Sequence, residues 1–219
     1  NRIVSITKNL INLKKNLPSD IELIVVSKTR SNEEILEAYN TGHINFGENK
    51  VQELVNKHEN LPKEIKWHMI GHLQSNKVKY IAKFIDLIHT VDSVKILKEI
   101  NKRAKIENRI IDCLLQIKIA IEENKFGFNF KEIDEVIAFT KELNNIKIRG
   151  VMGMATNTDN SFQIKSEFDL INDIYKKYYS KNFNILSIGM SSDYNIAVSK
   201  NSNMVRIGSA IFGKRIKNL

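Results

Sequence analysis

Eight short apolar runs recur along this chain, and each is followed by polar residues and, in most cases, a stretch with helical spacing. The runs are ELIVVSK (22–28), HINFG (43–47), KWHMIG (66–71), LIHTV (87–91), IDCLLQIKI (111–119), IKIRGVMGM (146–154), ILSIGM (185–190) and MVRIG (204–208). Most lie about 20–35 residues apart, the length of a strand–helix–strand unit with parallel strands. Eight such units close a (β/α)8 barrel of the TIM type. An open doubly wound sheet is the competing arrangement. It usually has fewer strands and often carries G-x-G-x-x-G after the first, a motif this sequence lacks. A helix-like segment at about 2–16 precedes the first run. The expected fold is therefore α/β: one barrel with an extra N-terminal helix, spanning 1–219 as a single unit.

Helix starts are marked locally. Ser31 followed by Glu34 is a capping box ahead of ILEAY. Ser75-Asn76 and Asp92-Ser93 precede further helical stretches, and 131–143 and 166–179 have apolar residues at spacings of three and four.

Composition narrows the function classes. No apolar run approaches the ~20 residues of a membrane-spanning helix, and the N-terminal NRIVSITKNLINLKKN has no continuous apolar stretch of the signal-peptide kind. The lone cysteine, Cys113, lies in an apolar run and reads as an inert core thiol. A cytosolic, membrane-free protein is expected. The net charge of +9 comes from 27 lysines and 7 arginines scattered as solvated helix faces. No basic block alternates with aromatics, so nucleic acid is not an expected partner.

In such a barrel, function gathers at the C-terminal ends of the strands. Those ends read Ser27-Lys28-Thr29, Gly47-Glu48-Asn49, Gly71-His72 with His68 inside its strand, Thr90 to Asp92, Lys118, Met154 to Asn157, Met190-Ser191-Ser192-Asp193, and Arg206 with Gly208-Ser209. Small residues in GMSSD and RIGSAIFG let backbone N–H groups approach an anion. Loops seven and eight are where barrel enzymes often hold phosphate; GMSSD taken alone could equally be a helix cap. Period two puts Ile24, Val26 and Lys28 on one strand face, the face that can line the barrel mouth. A desolvated lysine beside a phosphate cradle suggests pyridoxal 5'-phosphate (PLP), whose aldehyde a neutral amine can attack. The alternative is a strand-end lysine that snorkels to solvent.

VVSKT, FGENKVQE, WHMIGHLQSNK, LSIGMSSDY and VRIGSAIFGKR occur in this order. Together they resemble the PLP homeostasis protein family, whose members are PLP-binding proteins with an alanine racemase N-terminal-like barrel. The resemblance implies Lys28 as the Schiff-base lysine, Ser191, Gly208 and Ser209 on the phosphate with Ser192 assisting, and Arg206 facing the pyridine nitrogen. It places Asn49 beside the ring, with His68 and Met190 lining the pocket; His68 reads equally as a hydrogen-bonded core histidine. No metal and no catalytic residue is implied. Two positions depart from the family pattern: Lys118 replaces an asparagine, and Asn201 replaces a glycine before the last strand.

The resemblance implies a cofactor carrier rather than a strong catalyst, with apo PLP-enzymes as recipients. Arginine is donor-only, so a ring nitrogen facing Arg206 must be unprotonated, and an unprotonated pyridine is a poorer electron sink. The chain ends eleven residues after Gly208, so the second, β-rich domain of alanine racemases is not expected, and neither is a dimer. A weak PLP-dependent amino-acid racemase is the alternative. Tyr194, beside GMSSD, is expected to pack against its loop rather than move a proton.

Overall fold

The computed structural model describes residues 5–123 and 125–215. Among them lie eight strands and nine α-helices. The strands are β1 (Glu22–Val26), β2 (Asn45–Glu48), β3 (Lys66–Met69), β4 (Leu87–Val91), β5 (Ile111–Gln116), β6 (Ile146–Met152), β7 (Ile185–Ser187) and β8 (Met204–Ile207). All neighbours pair in parallel, and β1 closes on β8 through Leu23 opposite Val205 and Val25 opposite Ile207. The eight sequence runs are these eight strands, and the closed barrel excludes the open sheet.

The helices are α1 (Ile6–Asn16), α2 (Asn32–Tyr39), α3 (Val51–Asn60), α4 (Val78–Ile81), α5 (Val94–Ile106), α6 (Ile133–Thr140), α7 (Ser161–Tyr178), α8 (Tyr194–Ser199) and α9 (Ser209–Phe212). None is long and apolar enough to cross a membrane. The extra N-terminal helix α1 turns Ile6, Leu10 and Leu13 inward, and Asn9 donates to the Ile211 carbonyl of α9 at 2.9 Å. Residues 2–4 of the expected first helix lie outside the described residues. The Ser31–Glu34 capping box forms, and Ser93 caps α5.

Alternation along the strands sorts side chains into two cores. Leu23, Val25, Phe46 and Trp67 face outward into the large core between barrel and helices, where Cys113 is also buried. Ile24, Leu87, Leu114, Met152 and Met204 meet inside the barrel.

One local irregularity has a clear cause. The β5–β6 register steps from Cys113 opposite Ile148 to Leu114 opposite Gly150, leaving Arg149 as an extra residue. The bulge puts Gly150 at φ +153°, and a Cβ there would sit 1.8 Å from the Ile185 carbonyl oxygen of β7. Gly150→Ala is expected to lower unfolding free energy by about 3 kcal/mol through backbone strain and displacement of β7. Urea denaturation measures this; a loss near zero would mean that β7 gives way freely.

Candidate functional site

A cavity of about 250 Å³ opens at the C-terminal ends of β1, β7 and β8. Lys28, Met190, Ser191, Ser192, Arg206, Gly208 and Ser209 all line it. Three further residues join them: Val26, Arg30 and Arg215. The charged groups on this wall, Lys28, Arg30, Arg206 and Arg215, are all cationic, so the cavity is built for an anion. Nothing in the spacing of Arg30 or Arg215 marks them beforehand. Arg30 reaches the wall because its guanidinium donates to the Gly213 carbonyl at 2.7 Å.

Lys28 stands where period two places it. Ile24 belongs to the barrel interior, Val25 and Leu23 to the outer core, and Lys28 is half-buried at the mouth. Burial lowers its pKa first and Arg215 adds to the effect, while Glu48 and Glu53 oppose it. Its backbone is gripped from behind. The Ser27 carbonyl accepts from the Lys57 ammonium at 2.7 Å, and the Thr29 N–H donates to Glu53 Oε2 at 2.8 Å. Thr29 has φ +65°, a conformation that costs a β-branched residue energy and persists only where its surroundings impose it. Lys57 also binds Glu48 at 3.0 Å and Glu53 at 2.8 Å, and the Ser27 hydroxyl donates to Glu48. This cluster lies on the outer side of the barrel, between β1, β2 and α3.

Arg206 is 3% exposed. It donates to the Ser187 carbonyl at 2.9 Å, to the Ser187 hydroxyl, and to the Gly153 carbonyl at 3.1 Å. Burial lowers its pKa to about 10, with Asp193 opposing, so it remains a cation and a pure donor at neutral pH. Met190, Ser191 and Ser192 sit in a turn closed by the Met190 N–H on Asp193 Oδ1 at 2.7 Å. The Gly208 N–H donates to the Ser191 hydroxyl at 3.3 Å, which joins the two loops. A Cβ on Gly208 would lie 3.0 Å from the Val26 carbonyl oxygen, so the backbone there approaches the wall bare.

Two expected residues are not on this wall. His68 lines a separate cavity of about 370 Å³ at the opposite, N-terminal mouth, with Glu22, Asn45 and Lys66. It is the hydrogen-bonded core histidine of the two readings, bonded to Asn45 and His89 at 2.9 Å each. Asn49 is half-buried beyond the end of β2; its Oδ1 is buried with no hydrogen-bond partner among the described residues. Gly71 packs on the Asn49 backbone so closely that a Cβ would fall 2.2 Å from its carbonyl oxygen.

Other strand-end residues are accounted for locally. The Lys118 N–H pairs with the Phe128 carbonyl at 2.9 Å, and its half-buried side chain does not line the cationic cavity. His72 bonds Asp92 at 2.9 Å and stacks on Phe126. Asn201 adopts φ +74°, a left-handed conformation that asparagine tolerates. Tyr194 packs partly buried against the outer core.

Glu48 gives the site a titration signature. Burial outweighs the Lys57 and Ser27 contacts and raises its pKa from 4.5 to about 7. The unfolded chain releases this proton near 4.5 and the folded chain near 7, so the carboxyl favours folding most below 4.5 and that contribution is lost as pH rises to about 7. Glu48→Gln is expected to remove a decline on the order of 3 kcal/mol across this interval. Urea unfolding of both proteins at stepped pH reads it; parallel curves would mean that Glu48 is ionised throughout.

Three comparisons bear on the whole chain. The family model described as "Alanine racemase, N-terminal domain" matches residues 3–215. A pyridoxal phosphate homeostasis protein of Aquifex aeolicus is 36% identical over 199 residues, covering 89% of this chain and 87% of the relative. The structure of PipY from Synechococcus elongatus without PLP superposes with a TM-score of 0.90 at 31% identity, covering 95% of this chain and 100% of that one. The same protein with PLP bound gives 0.85 at 30% identity, with equal coverage.

Proposed function

This chain belongs to the alanine racemase N-terminal domain family, beside the pyridoxal phosphate homeostasis proteins, and from that premise we propose that it binds PLP reversibly and buffers it within the cell. The observation that supports this most is the half-buried Lys28, its pKa lowered, on a cavity wall whose other charged groups are arginines. PLP supplies an aldehyde, which condenses with an amine by loss of water, together with a phosphate and a phenolic oxygen that are anionic. The residues present fit each part. Lys28 offers the amine for a Schiff base. Ser191, Ser192, Ser209 and the bare backbone at Gly208 suit the phosphate, whose charge Arg30 and Arg215 offset. Met190 closes one side, and Arg206 presents N–H donors where the ring nitrogen would lie. Asn49 and His68 are better assigned behind this wall than to cofactor contact.

Holding fits the wall better than transforming. A ring nitrogen facing a pure donor stays unprotonated and withdraws electrons weakly. Racemisation needs an acid–base group on each side of the substrate, and Tyr194 is held in its loop and outer-core packing. Release to apo-enzymes, as a monomer in the cytosol, is the remainder of the proposal.

The test is intact mass and peptide mapping after PLP addition and borohydride reduction. One phosphopyridoxyl group on Lys28 is expected, and Lys28→Ala should lose it while keeping weaker, phosphate-anchored binding. Labelling of Lys118 in that variant would move the assignment there, and labelling scattered over surface lysines would overturn the site. Amino acids incubated in heavy water with the loaded protein should keep their α-hydrogen; steady exchange would mark a racemase.

A further inference from the structure

Six strands contribute to one run of hydrogen bonds through the barrel interior. Arg206 of β8 donates to the Ser187 hydroxyl of β7. Ser187 Oγ lies 3.1 Å from His89 Nδ1 of β4, and His89 Nε2 lies 2.9 Å from His68 Nδ1 of β3. His68 Nε2 lies 2.9 Å from Asn45 Oδ1 of β2, and Asn45 Nδ2 donates to Glu22 Oε1 of β1 at 2.5 Å. The run begins beside the cationic cavity and ends in the cavity at the opposite mouth.

The direction of every bond is determined by its two ends. Arginine can only donate, and the Glu22 carboxylate can only accept. Asn45 must turn its NH2 to Glu22, which leaves its carbonyl oxygen to His68. His68 therefore carries its proton on Nε2. Both imidazoles are neutral, because burial pulls His68 to about 3 and His89 well below its ordinary value. Asp86, 3.9 Å from His68, does not reverse this, and Lys66 and His43 oppose a charge there. A neutral His68 leaves Nδ1 bare to accept from His89 Nε2–H. His89 Nδ1 is then bare in turn and accepts the Ser187 proton. The Ser187 lone pair is left facing Arg206.

We propose that Ser187, His89 and His68 are positioning residues for Arg206, a directed hydrogen-bond chain that holds its guanidinium from behind so that its remaining N–H donors face the cofactor ring. The role toward the ring rests on the reading of the cationic cavity as a PLP site; the chain and its tautomers do not. A purely apolar interior would leave the guanidinium only its two backbone carbonyl contacts, and a histidine of the other tautomer would set two donors against each other.

Two measurements test this separately. In the PLP-free protein, nitrogen NMR of the imidazoles should show His68 and His89 both as Nε2–H tautomers, unchanged across neutral and mildly acidic pH. An Nδ1–H tautomer, or protonation of either ring in that interval, overturns the chain whatever the cavity binds. With PLP added, His89→Leu should weaken binding by about tenfold and shift the cofactor absorbance. His89→Gln, whose amide can accept from Ser187 and donate to His68, should restore both. If His89→Leu does not fold, Ser187→Ala gives the same comparison. Wild-type affinity and spectrum in the folded variant would overturn the positioning role, while failure of the wild type to take up PLP would overturn the function proposal and leave the tautomer test standing.

Discussion

Closure of the parallel sheet on itself is the constraint from which the rest follows. Once β1 pairs with β8, every second residue of each strand is committed to the interior and the others to the helices. A one-residue slip would exchange the two sets completely. At the end of β1 this separates two neighbours with opposite tasks. Lys28 enters the mouth, and Ser27 turns outward to Glu48 and Lys57. The cationic face of the site and the mixed-charge cluster that steadies it are thus opposite sides of one strand end.

That cluster answers an electrostatic problem. A cavity lined by a lysine and three arginines repels its own lysine's charge, and burial adds to the effect. Carboxylates on the cavity wall would offset this, but they would also repel an anionic ligand. Glu48 and Glu53 act from behind the wall instead. They oppose the lowering of the Lys28 pKa while their direct bonds go to Lys57, Ser27 and Thr29. The left-handed Thr29 marks where the chain is bent to bring this about.

Much of this was legible in the sequence, and the division between what was and was not is physical. Strands, their order and the strand-end groups depend on alternation and spacing, which are local, so all eight runs are strands and seven of the nine expected site residues line one cavity. Helix ends were legible where a side chain caps them, as at Ser31 and Ser93. Where the cap stands well ahead of the apolar spacing the bounds move: the helix expected from 166 begins at Ser161, capped by Asn160. Arg30 and Arg215 carry no spacing signal, and His68 was beyond reach for another reason. Which end of a barrel a mid-strand side chain serves depends on its height in the interior, and a four-residue strand does not encode that height. The His89–Ser187 contact joins residues 98 positions apart across the interior, and only the closed geometry brings them together.

A buried cation inside a barrel is costly unless each of its donors meets an acceptor. Arg206 meets two carbonyl oxygens and one hydroxyl, and the hydroxyl is useful only if its own proton has somewhere to go. That requirement passes from Ser187 to His89, from His89 to His68 and from His68 to Asn45, and it ends at a carboxylate in contact with solvent. Seen from the cavity, the polar residues deep in the interior are the consequence of placing one donor-only group at its floor. The same chain fixes where that group's donors point as long as the histidines are neutral. On the proposed reading, a ring nitrogen facing it would accept a hydrogen bond and be given no proton, which would suit a protein that keeps a reactive aldehyde bound and returns it unchanged.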